Sequence, residues 1–144
     1  MNCEAYMTRN MSPRLAIDTD ILSAMSIAAW QAREYAHVLG KTRVGCAVLS
    51  SSGVIVAGCN VEHRFRCHDV HAEVNALTSM VAAGAGNAKA ILIVAEREYF
   101  MPCGGCLDWI MELGSGDVLI GFQGVKGGEI EVKCATELMP FYPR

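Results

Sequence analysis

An uninterrupted apolar run at residues 90–95, A-I-L-I-V-A, constrains the fold of this chain more than any other feature. A strand with apolar side chains on both faces has to be covered on both sides, as in a sheet that lies between two layers of helices. Apolar residues recur at helical spacing before and after this run, at residues 71–83 and 103–113. The run therefore predicts an inner strand of an α/β fold.

The other elements follow from the same periodicities. In chain order, the predicted elements are a helix at 20–39, strands at 44–50 and 54–59, a helix at 71–83, a strand at 90–95, a helix at 103–113, strands at 118–122 and 130–133, and a short helix at 137–140. Asp18, Thr19 or Asp20 can cap the start of the first helix, and Gly40 supplies its stop. The S-S-G between the first two strands is typical of a hairpin.

The connection between the last two predicted strands is short. It comprises only residues 123–129, whereas a parallel return needs a crossover of about a dozen or more residues. These two strands are therefore antiparallel neighbours, while the earlier β-α-β segments are long enough for parallel crossovers. We predict a three-layer α/β/α sandwich with a five-stranded mixed sheet whose last strand is antiparallel.

Length and composition fit one globular domain. At 144 residues the chain is long enough to bury about two thirds of its unfolded surface. We divide it into an N-terminal tail at 1–18 and a single folded domain at 19–144. Hydrophobic residues make up 52% of the chain and charged residues 19%, below the typical charged share of about 25%. This composition excludes a disordered chain and indicates surface that is buried between subunits.

Charge and cysteine usage narrow the function class. The net charge of −3 excludes the basic surface that binds a nucleic acid polymer. No run of about 18 apolar residues predicts a membrane span, and no signal-peptide pattern is visible. We therefore expect a cytoplasmic protein with no membrane association. In such a protein the seven cysteines indicate metal binding or catalysis rather than disulfides.

Two short segments carry the chemistry: H-A-E at residues 71–73 and P-C-G-G-C at residues 102–106. Thiolates separated by two residues at a helix start lie on the same side of the first turn and can bind one ion. An imidazole from a second helix start completes a set of three ligands, His71, Cys103 and Cys106. Three protein ligands leave one position open for water, as in catalytic Zn²⁺ sites.

Glu73 follows the predicted histidine ligand by two positions and can act as a proton carrier. Zn²⁺ lowers the pKa of a bound water to about 7, so a nucleophile is available at neutral pH. A nucleophilic water beside a proton-carrying carboxylate suits attack on an amidine-like ring carbon with loss of ammonia. The pattern H-x-E…P-C-x-x-C is the signature of zinc deaminases.

Other interpretations of these residues are open. C-x-x-C alone also occurs as a redox pair, although thioredoxin-like motifs lack an upstream H-A-E. A structural zinc site would need a fourth ligand, for which His63, Cys67 or His68 are available. His71 alone would fit an ordinary core histidine. The combination of both motifs at helix starts favours the catalytic metal site.

With these motifs, the chain resembles the cytidine deaminase family over residues 44–140. Residues 44–62, V-G-C-A-V-L-S-S-S-G-V-I-V-A-G-C-N-V-E, are similar to the family's V-G-A-A-L…D-G…G-x-N-x-E. The resemblance implies that Asn60 and Glu62 hold the ribose 3′-hydroxyl and that the Ala72 backbone N–H meets the base carbonyl. E-L-M-P at residues 137–140 also resembles the family's E-L-L-P.

The short last hairpin resembles that of the small tetrameric cytidine deaminases and the blasticidin S deaminases. The metal motif departs from theirs, because H-A-E-V stands where small cytidine deaminases usually have C-A-E-R. The departure is self-consistent: two thiolates and a neutral imidazole already neutralise Zn²⁺, so no compensating arginine is needed.

The substrate loop also departs from the family pattern. Where N-A-S-Y is common, this chain has Arg64, Phe65 and Arg66 after His63, and Thr42 replaces a usual aromatic residue. The two arginines can meet an anionic group of the substrate. An ordinary solvated loop or an intersubunit salt bridge is the alternative interpretation.

The resemblance implies a zinc-dependent hydrolytic deaminase that converts cytidine or deoxycytidine to uridine or deoxyuridine and ammonia. Its partner would be a small nucleoside, and the enzyme would be a homotetramer. One alternative is a deaminase of a modified nucleoside, a nucleotide, or an aminopyrimidine or purine base, such as a blasticidin-like compound. Another is a non-catalytic zinc-stabilised module.

Overall fold

The computed structural model describes residues 17–142, so most of the predicted tail at 1–18 lies outside the described part. The division into a tail and one domain stays a prediction. The elements are α1 (Thr19–Glu34), β1 (Gly45–Ser50), β2 (Ile55–Cys59), a 3₁₀ turn (Arg66–His68), α2 (Ala72–Ala82), β3 (Ala88–Val94), α3 (Gly104–Leu113), β4 (Leu119–Gln123), β5 (Glu131–Cys134) and α4 (Ala135–Leu138). None of the helices described here is long and apolar enough to cross a bilayer.

The five strands form one mixed sheet in the order β2-β1-β3-β4-β5. β3 and β4 pair in parallel, whereas β1 pairs with both β2 and β3 in antiparallel fashion. β5 runs antiparallel to β4, with Phe122 opposite Glu131. The predicted element order, mixed sheet and antiparallel last strand are confirmed.

Helices cover both faces of this sheet. α1 packs on one face and α2 and α3 on the other, so that β3 is buried on both sides as its apolar run predicted. The core on the α1 side contains Met25, Ala29, Trp30, Ala47, Leu92 and Val94. The core on the other side contains Val48, Leu77, Met80, Ile91, Ile93 and Ile110. The three-layer arrangement is confirmed.

The predicted end of the first helix is wrong. α1 ends at Glu34 rather than at residue 39, and Gly40 is not its stop. The chain leaves the helix because His37 pairs with the segment after β2: its N–H donates to the Asn60 carbonyl (3.1 Å), and its carbonyl accepts from the Glu62 N–H (2.7 Å). This long-range pairing overrides the local helical spacing and brings residues 39 and 40 within hydrogen-bond distance of the Glu62 side chain.

Close packing of α2 on β2 depends on Gly58. A Cβ at this position would lie 2.6 Å from the Ala76 nitrogen, so only glycine fits without a shift. The Asn75 side chain also reaches across and accepts from the Cys59 N–H at 3.0 Å. These contacts fix where α2 begins, and therefore where the residues at its start lie.

Candidate active site

The two predicted metal motifs lie at the starts of neighbouring helices. His71 is the N-terminal flanking residue of α2, and Cys103 takes the same position at α3, which follows β3. Neither side chain caps its own helix, so both are available for other contacts. Because α2 and α3 pack against each other on one face of the sheet, the two helix starts meet.

The three predicted ligands converge on one point. His71 Nδ1 lies 3.3 Å from Cys106 Sγ and 3.5 Å from Cys103 Sγ, and all three ligand atoms lie within 4.8 Å of one another. A tetrahedral zinc ion with bonds of about 2.1 Å to nitrogen and 2.3 Å to sulfur separates such atoms by about 3.6 Å. The donor set and its spacing therefore fit Zn²⁺.

No fourth side chain joins this group in the described part of the chain. His63, Cys67 and His68, the residues available for a closed structural site, lie outside it. Cys106 is buried, while His71 and Cys103 are exposed, so one side of the group is open. Three protein ligands and an open side are the arrangement of a catalytic zinc site.

The Cys106 thiol depends on a cation for its charge. Burial raises the pKa of Cys106 far above the ordinary value for cysteine, and the neighbouring Glu73 carboxylate raises it further. A metal ion at this position reverses that preference, because a coordinating thiol is deprotonated. Zinc binding here therefore releases protons.

Glu73 lies in the first turn of α2 and is only 3% exposed. Burial raises the pKa of its carboxyl group, while hydrogen bonding to its own N–H and the nearby His71 act in the opposite direction. A carboxyl group with a raised pKa suits a step in which a proton is taken up and then returned.

A cleft of about 230 Å³ lies beside His71 and Glu73. Its other lining residues come from the segment after α1, the β2–α2 connection, the start of α2 and the segment after β3: Thr42, Val44, Asn60, Glu62, Arg66, Asp69, Val70, Ala72, Arg97 and Phe100. The cleft thus brings together the predicted carboxylate, the histidine ligand and all three predicted substrate-binding residues. Cys103 and Cys106 do not line the cleft, but both contact His71, which does.

Asn60 supports the wall of this cleft. Its Oδ1 accepts from the Val44 N–H (2.8 Å), and its Nδ2 donates to the Thr42 carbonyl (3.0 Å). The amide therefore fixes the segment between α1 and β1. One N–H of Nδ2 and a second lone pair of Oδ1 are left over by these two bonds.

Glu62 holds residues 39 and 40 in the same way. Its Oε2 accepts from the backbone N–H groups of Leu39 (2.6 Å) and Gly40 (2.8 Å). These two hydrogen bonds lower the pKa of the Glu62 carboxyl, and the Arg66 guanidinium lowers it further. Glu62 is therefore an ionised group at neutral pH.

The arginine-rich loop divides into two parts. Arg66 lines the cleft and pairs with Glu62 (3.2 Å) and with Asp69 (2.7 Å). Arg64 and Phe65 are not among the lining residues, and the Arg64 guanidinium stacks on the exposed Phe65 ring at 5.1 Å. The Arg66 contacts are salt bridges within one chain, and two carboxylates neutralise its charge.

The amino-acid sequence matches a known protein family over most of its length. Residues 19–122 match the cytidine and deoxycytidylate deaminase zinc-binding region. The chain belongs to this family. The match confirms the predicted enzyme class, a zinc-dependent hydrolytic deaminase, and the predicted Zn²⁺ cofactor.

Named relatives of this deaminase agree with that result. The chain is 35% identical over 112 residues to a cytidine deaminase of Sporosarcina psychrophila, covering 76% of this chain and 82% of the relative. It is 32% identical over 114 residues to a cytidine deaminase of Halalkalibacterium halodurans, covering 78% and 86%.

Solved structures give the same picture. The deaminase matches cytidine deaminase from Burkholderia pseudomallei with a TM-score of 0.75 and 32% identity, over 83% of this chain and 96% of that one. It matches the Mycobacterium tuberculosis cytidine deaminase with a TM-score of 0.74 and 28% identity, over 86% and 97%. The predicted cytidine deaminase-like fold is confirmed.

Arg97 and Phe100 line the cleft in this deaminase but are absent from the sequence-based site. Arg97 donates from Nη2 to Thr42 Oγ1 (2.9 Å), and its guanidinium lies 5.7 Å from the centre of the Phe100 ring. Both follow the carboxyl end of β3, where ligands of open α/β sheets commonly bind. Their position directly after a buried strand is the sequence feature that could have identified them as cleft residues.

Proposed function

We propose that this chain deaminates a cytosine-type nucleoside, exchanging the amino group on the ring for oxygen and releasing ammonia. The observation that carries the proposal is one cleft that joins the buried Glu73 carboxylate, the His71 imidazole and the polar pair Asn60 and Glu62. The relatives that cover most of this chain are named cytidine deaminases, which supports cytosine over other bases.

The metal ligands in this proposal are His71, Cys103 and Cys106. The support for this set is that its donor atoms lie within 4.8 Å of one another, close to the separation of ligand atoms around a tetrahedral zinc ion. When bound, Zn²⁺ supplies a water of lowered pKa as the nucleophile. Two thiolates and a neutral imidazole balance the charge of the ion, so the Val74 position needs no arginine.

Glu73 carries the protons of the reaction. Its carboxylate takes a proton from the attacking water and gives it to the ring nitrogen as the oxygen bonds to the ring carbon. It then takes the remaining proton of the new hydroxyl group and gives it to the amino group, which leaves as ammonia when its bond to the ring carbon breaks. The net reaction consumes one water and releases one ammonia. The burial of Glu73 supports this role, because it raises the pKa of the carboxyl group above its ordinary value.

In this proposal, one backbone group and two side chains of the cleft orient the substrate. The Ala72 N–H, in the first turn of α2, meets the base carbonyl at the positive end of the helix. Asn60 and Glu62 bind the sugar hydroxyls with the hydrogen-bonding capacity left over by their backbone contacts. A free base would offer these two side chains nothing to hold.

The working enzyme in this proposal is a homotetramer. Its support is the set of large apolar side chains exposed on the single chain, among them Ile27, Trp109 and Phe141, the last 95% exposed. Phe141 or Tyr142 can place a ring over the base bound to a neighbouring chain. A sedimentation mass of one chain at micromolar concentration would overturn the tetramer. The cytoplasmic location stays a prediction.

An ammonia-release screen tests the reaction. The purified zinc-loaded protein is assayed with cytidine, deoxycytidine, cytosine, cytidylate, blasticidin S, guanine and adenosine, with a Glu73→Gln preparation as the blank. We expect release from cytidine or deoxycytidine at a rate well above that from cytosine. Faster release from free cytosine would remove the sugar-binding role of Asn60 and Glu62. Release only from guanine or adenosine would overturn the proposed base, and no release from any compound would favour the non-catalytic module.

A further inference from the structure

The Arg66 guanidinium lies in the cleft beside Glu62, the carboxylate that the proposed function assigns to the sugar. Its Nη2 is 3.2 Å from Glu62 Oε1, and its Nε donates to Asp69 Oδ2 at 2.7 Å. Asp69 is held in turn, because its other oxygen accepts from the His63 N–H at 2.7 Å. Arg66 is therefore fixed between two carboxylates in the wall of the cleft.

Glu62 has one oxygen left for a ligand. Its Oε2 already accepts from the Leu39 and Gly40 N–H groups, which fills both lone pairs of that atom. Within residues 17–142, its Oε1 contacts only the Arg66 guanidinium and so keeps one lone pair. A sugar hydroxyl that binds Glu62 must therefore use Oε1, and this places the hydroxyl directly beside Arg66.

Arg66 has hydrogen-bond donors to spare at the same place. A guanidinium carries five N–H groups in a planar fork. The Asp69 contact uses one of them and the Glu62 contact at most one, so most remain available in the described part of the chain. The Arg66 side chain is 60% exposed, so a ligand in the cleft can reach these donors. Glu62 and Arg66 thus present an acceptor and several donors side by side.

We propose that Arg66 donates a hydrogen bond to the 2′-hydroxyl of the sugar and so makes the enzyme favour the ribonucleoside over the 2′-deoxyribonucleoside. This inference rests on the proposed function, in which Glu62 helps to bind the sugar hydroxyls. A hydroxyl group both donates and accepts. The 3′-hydroxyl can therefore donate to Glu62 Oε1 while its neighbour on the ring accepts from the adjacent Arg66 guanidinium.

The position of Arg66 indicates the 2′-hydroxyl rather than the 5′ end of the sugar. Arg66 bridges Glu62 and Asp69, and Asp69 precedes His71 by only two positions. Arg66 therefore lies between the sugar-binding carboxylate and the segment that leads to the base end of the cleft. In a nucleoside, the carbon that bears the 2′-hydroxyl lies between the 3′ carbon and the carbon that bears the base. The next hydroxyl in the direction of the base is the 2′-hydroxyl.

The charge around Arg66 suits a neutral hydroxyl rather than an anion. Two carboxylates, Glu62 and Asp69, pair with the one guanidinium, so the three side chains together carry a net charge of −1. Such a group repels an anionic ligand but keeps its N–H donors. The sequence-based interpretation gave the arginines of this loop an anionic group of the substrate. The inference gives Arg66 a hydroxyl group instead.

The test compares cytidine with 2′-deoxycytidine in the zinc-loaded wild type, Arg66→Met and Arg64→Met. Methionine keeps an apolar stem but has no donor. Arg64 belongs to the same loop and does not line the cleft, so its variant is the matched control. In the wild type, kcat/KM for cytidine should exceed that for 2′-deoxycytidine by about threefold to thirtyfold, the contribution of one hydrogen bond from a charged donor in a partly exposed site. Arg66→Met should lose this preference, and Arg64→Met should keep it.

The ratio of the two kcat/KM values separates a direct contact from a structural role. Loss of Arg66 also removes a partner of Glu62, but both substrates carry the 3′-hydroxyl, so any effect through Glu62 lowers both values alike. An unchanged ratio in Arg66→Met overturns the inference, and so does an equal fall of the ratio in Arg64→Met. Arg66→Lys retains a charge that can pair with the carboxylates, so it should fold even if Arg66→Met does not, and it should keep part of the preference.

A change in the sugar itself gives a second control. The arabinose epimer of cytidine carries its 2′-hydroxyl on the opposite face of the sugar ring, where Arg66 cannot meet it while Glu62 holds the 3′-hydroxyl. Its kcat/KM relative to 2′-deoxycytidine should be the same in the wild type and in Arg66→Met. A fall of this ratio in Arg66→Met as large as that for cytidine would contradict a contact with one defined hydroxyl.

Product binding separates this inference from the proposed function. The affinities of uridine and 2′-deoxyuridine are measured by calorimetry in the same variants, where no turnover occurs. Tighter binding of uridine that is lost in Arg66→Met supports the inference even if neither cytosine compound is deaminated, an outcome that would overturn the proposed function alone. Deamination of cytidine and 2′-deoxycytidine with equal kcat/KM in the wild type overturns the inference alone.

Discussion

His71 Nδ1 lies 3.3 Å from Cys106 Sγ, although 35 positions separate the two residues in the chain. The contact exists because α2 and α3 start at the same end of one helical layer and pack against each other on the sheet. The metal site is therefore a property of the folded layer rather than of either motif alone. Its zinc content should report both on the ligands and on this packing.

The purified protein should contain about one zinc per chain, and the Cys103→Ala, Cys106→Ala double variant should contain close to none. Two of the three donor atoms are lost in that variant, and a single histidine binds zinc too weakly to retain it during purification. Elemental analysis after gel filtration measures the content. Cys67→Ala is the matched control, because Cys67 is exposed and lies outside the ligand group. Full zinc in the double variant would contradict the assignment of the ligands.

Glu73→Gln should keep zinc and fold but lose at least about 10²-fold in kcat, since a positioned proton carrier typically contributes that much. Glutamine has nearly the same volume, so the buried site stays filled. The measurements are steady-state kinetics and zinc content on one preparation. Glu112→Gln, which neutralises an exposed carboxylate on α3, should match the wild type. Turnover retained in Glu73→Gln would assign the proton transfer to another group.

Periodicity and spacing predicted most of this fold and the centre of its site. The doubly apolar β3, the hairpin of β1 and β2 and the short β4–β5 connection each determine their own local arrangement, so the sheet followed from them. H-A-E and P-C-G-G-C identified three side chains that the structure brings together. Each of these features depends on a short stretch of sequence, so it could be recognised without knowledge of long-range contacts.

Features set by long-range pairing were not predictable in the same way. α1 ends at Glu34 because the His37 backbone hydrogen-bonds to the backbone of Asn60 and Glu62 after β2. No local sequence pattern predicts this pairing. Arg97 enters the cleft because Thr42, 55 positions away, accepts its hydrogen bond. Arg64 and Phe65 were predicted to belong to the substrate loop, but their side chains stack on each other and do not line the cleft.

The Glu62 contacts predict a pH dependence of stability. The backbone N–H groups of Gly40 and Leu39 lower the pKa of the Glu62 carboxyl below its ordinary value of 4.5. A carboxyl group with a lowered pKa in the folded state contributes stability that is fully present above its unfolded pKa and is lost as the pH falls through the folded value. The wild type should therefore melt at a higher temperature than Glu62→Gln at pH 7, and this difference should shrink as the pH falls below about 4.5.

Thermal unfolding of both proteins from pH 7 to pH 3 measures that difference. Loss of zinc at low pH affects both chains alike, so the comparison isolates the carboxylate. Glu131→Gln serves as the control, because Glu131 on β5 has an exposed side chain and only a 3.9 Å contact with Lys133. A melting difference that stays constant across the whole range would mean that the Glu62 charge does not hold residues 39 and 40.

Gly58→Ala should destabilise the fold and reduce activity together. The added methyl group would lie 2.6 Å from the Ala76 nitrogen, so α2 must move away from β2, and the start of that helix carries both His71 and Glu73. Overpacking of this kind typically costs about 1–3 kcal/mol, measurable by urea unfolding. In Gly104→Ala the methyl group meets no atom within 4 Å, and the better helix propensity of alanine should leave α3 at least as stable. A Gly58→Ala protein with wild-type stability and turnover would show that α2 tolerates the shift and that its contact with β2 does not set the geometry of the site.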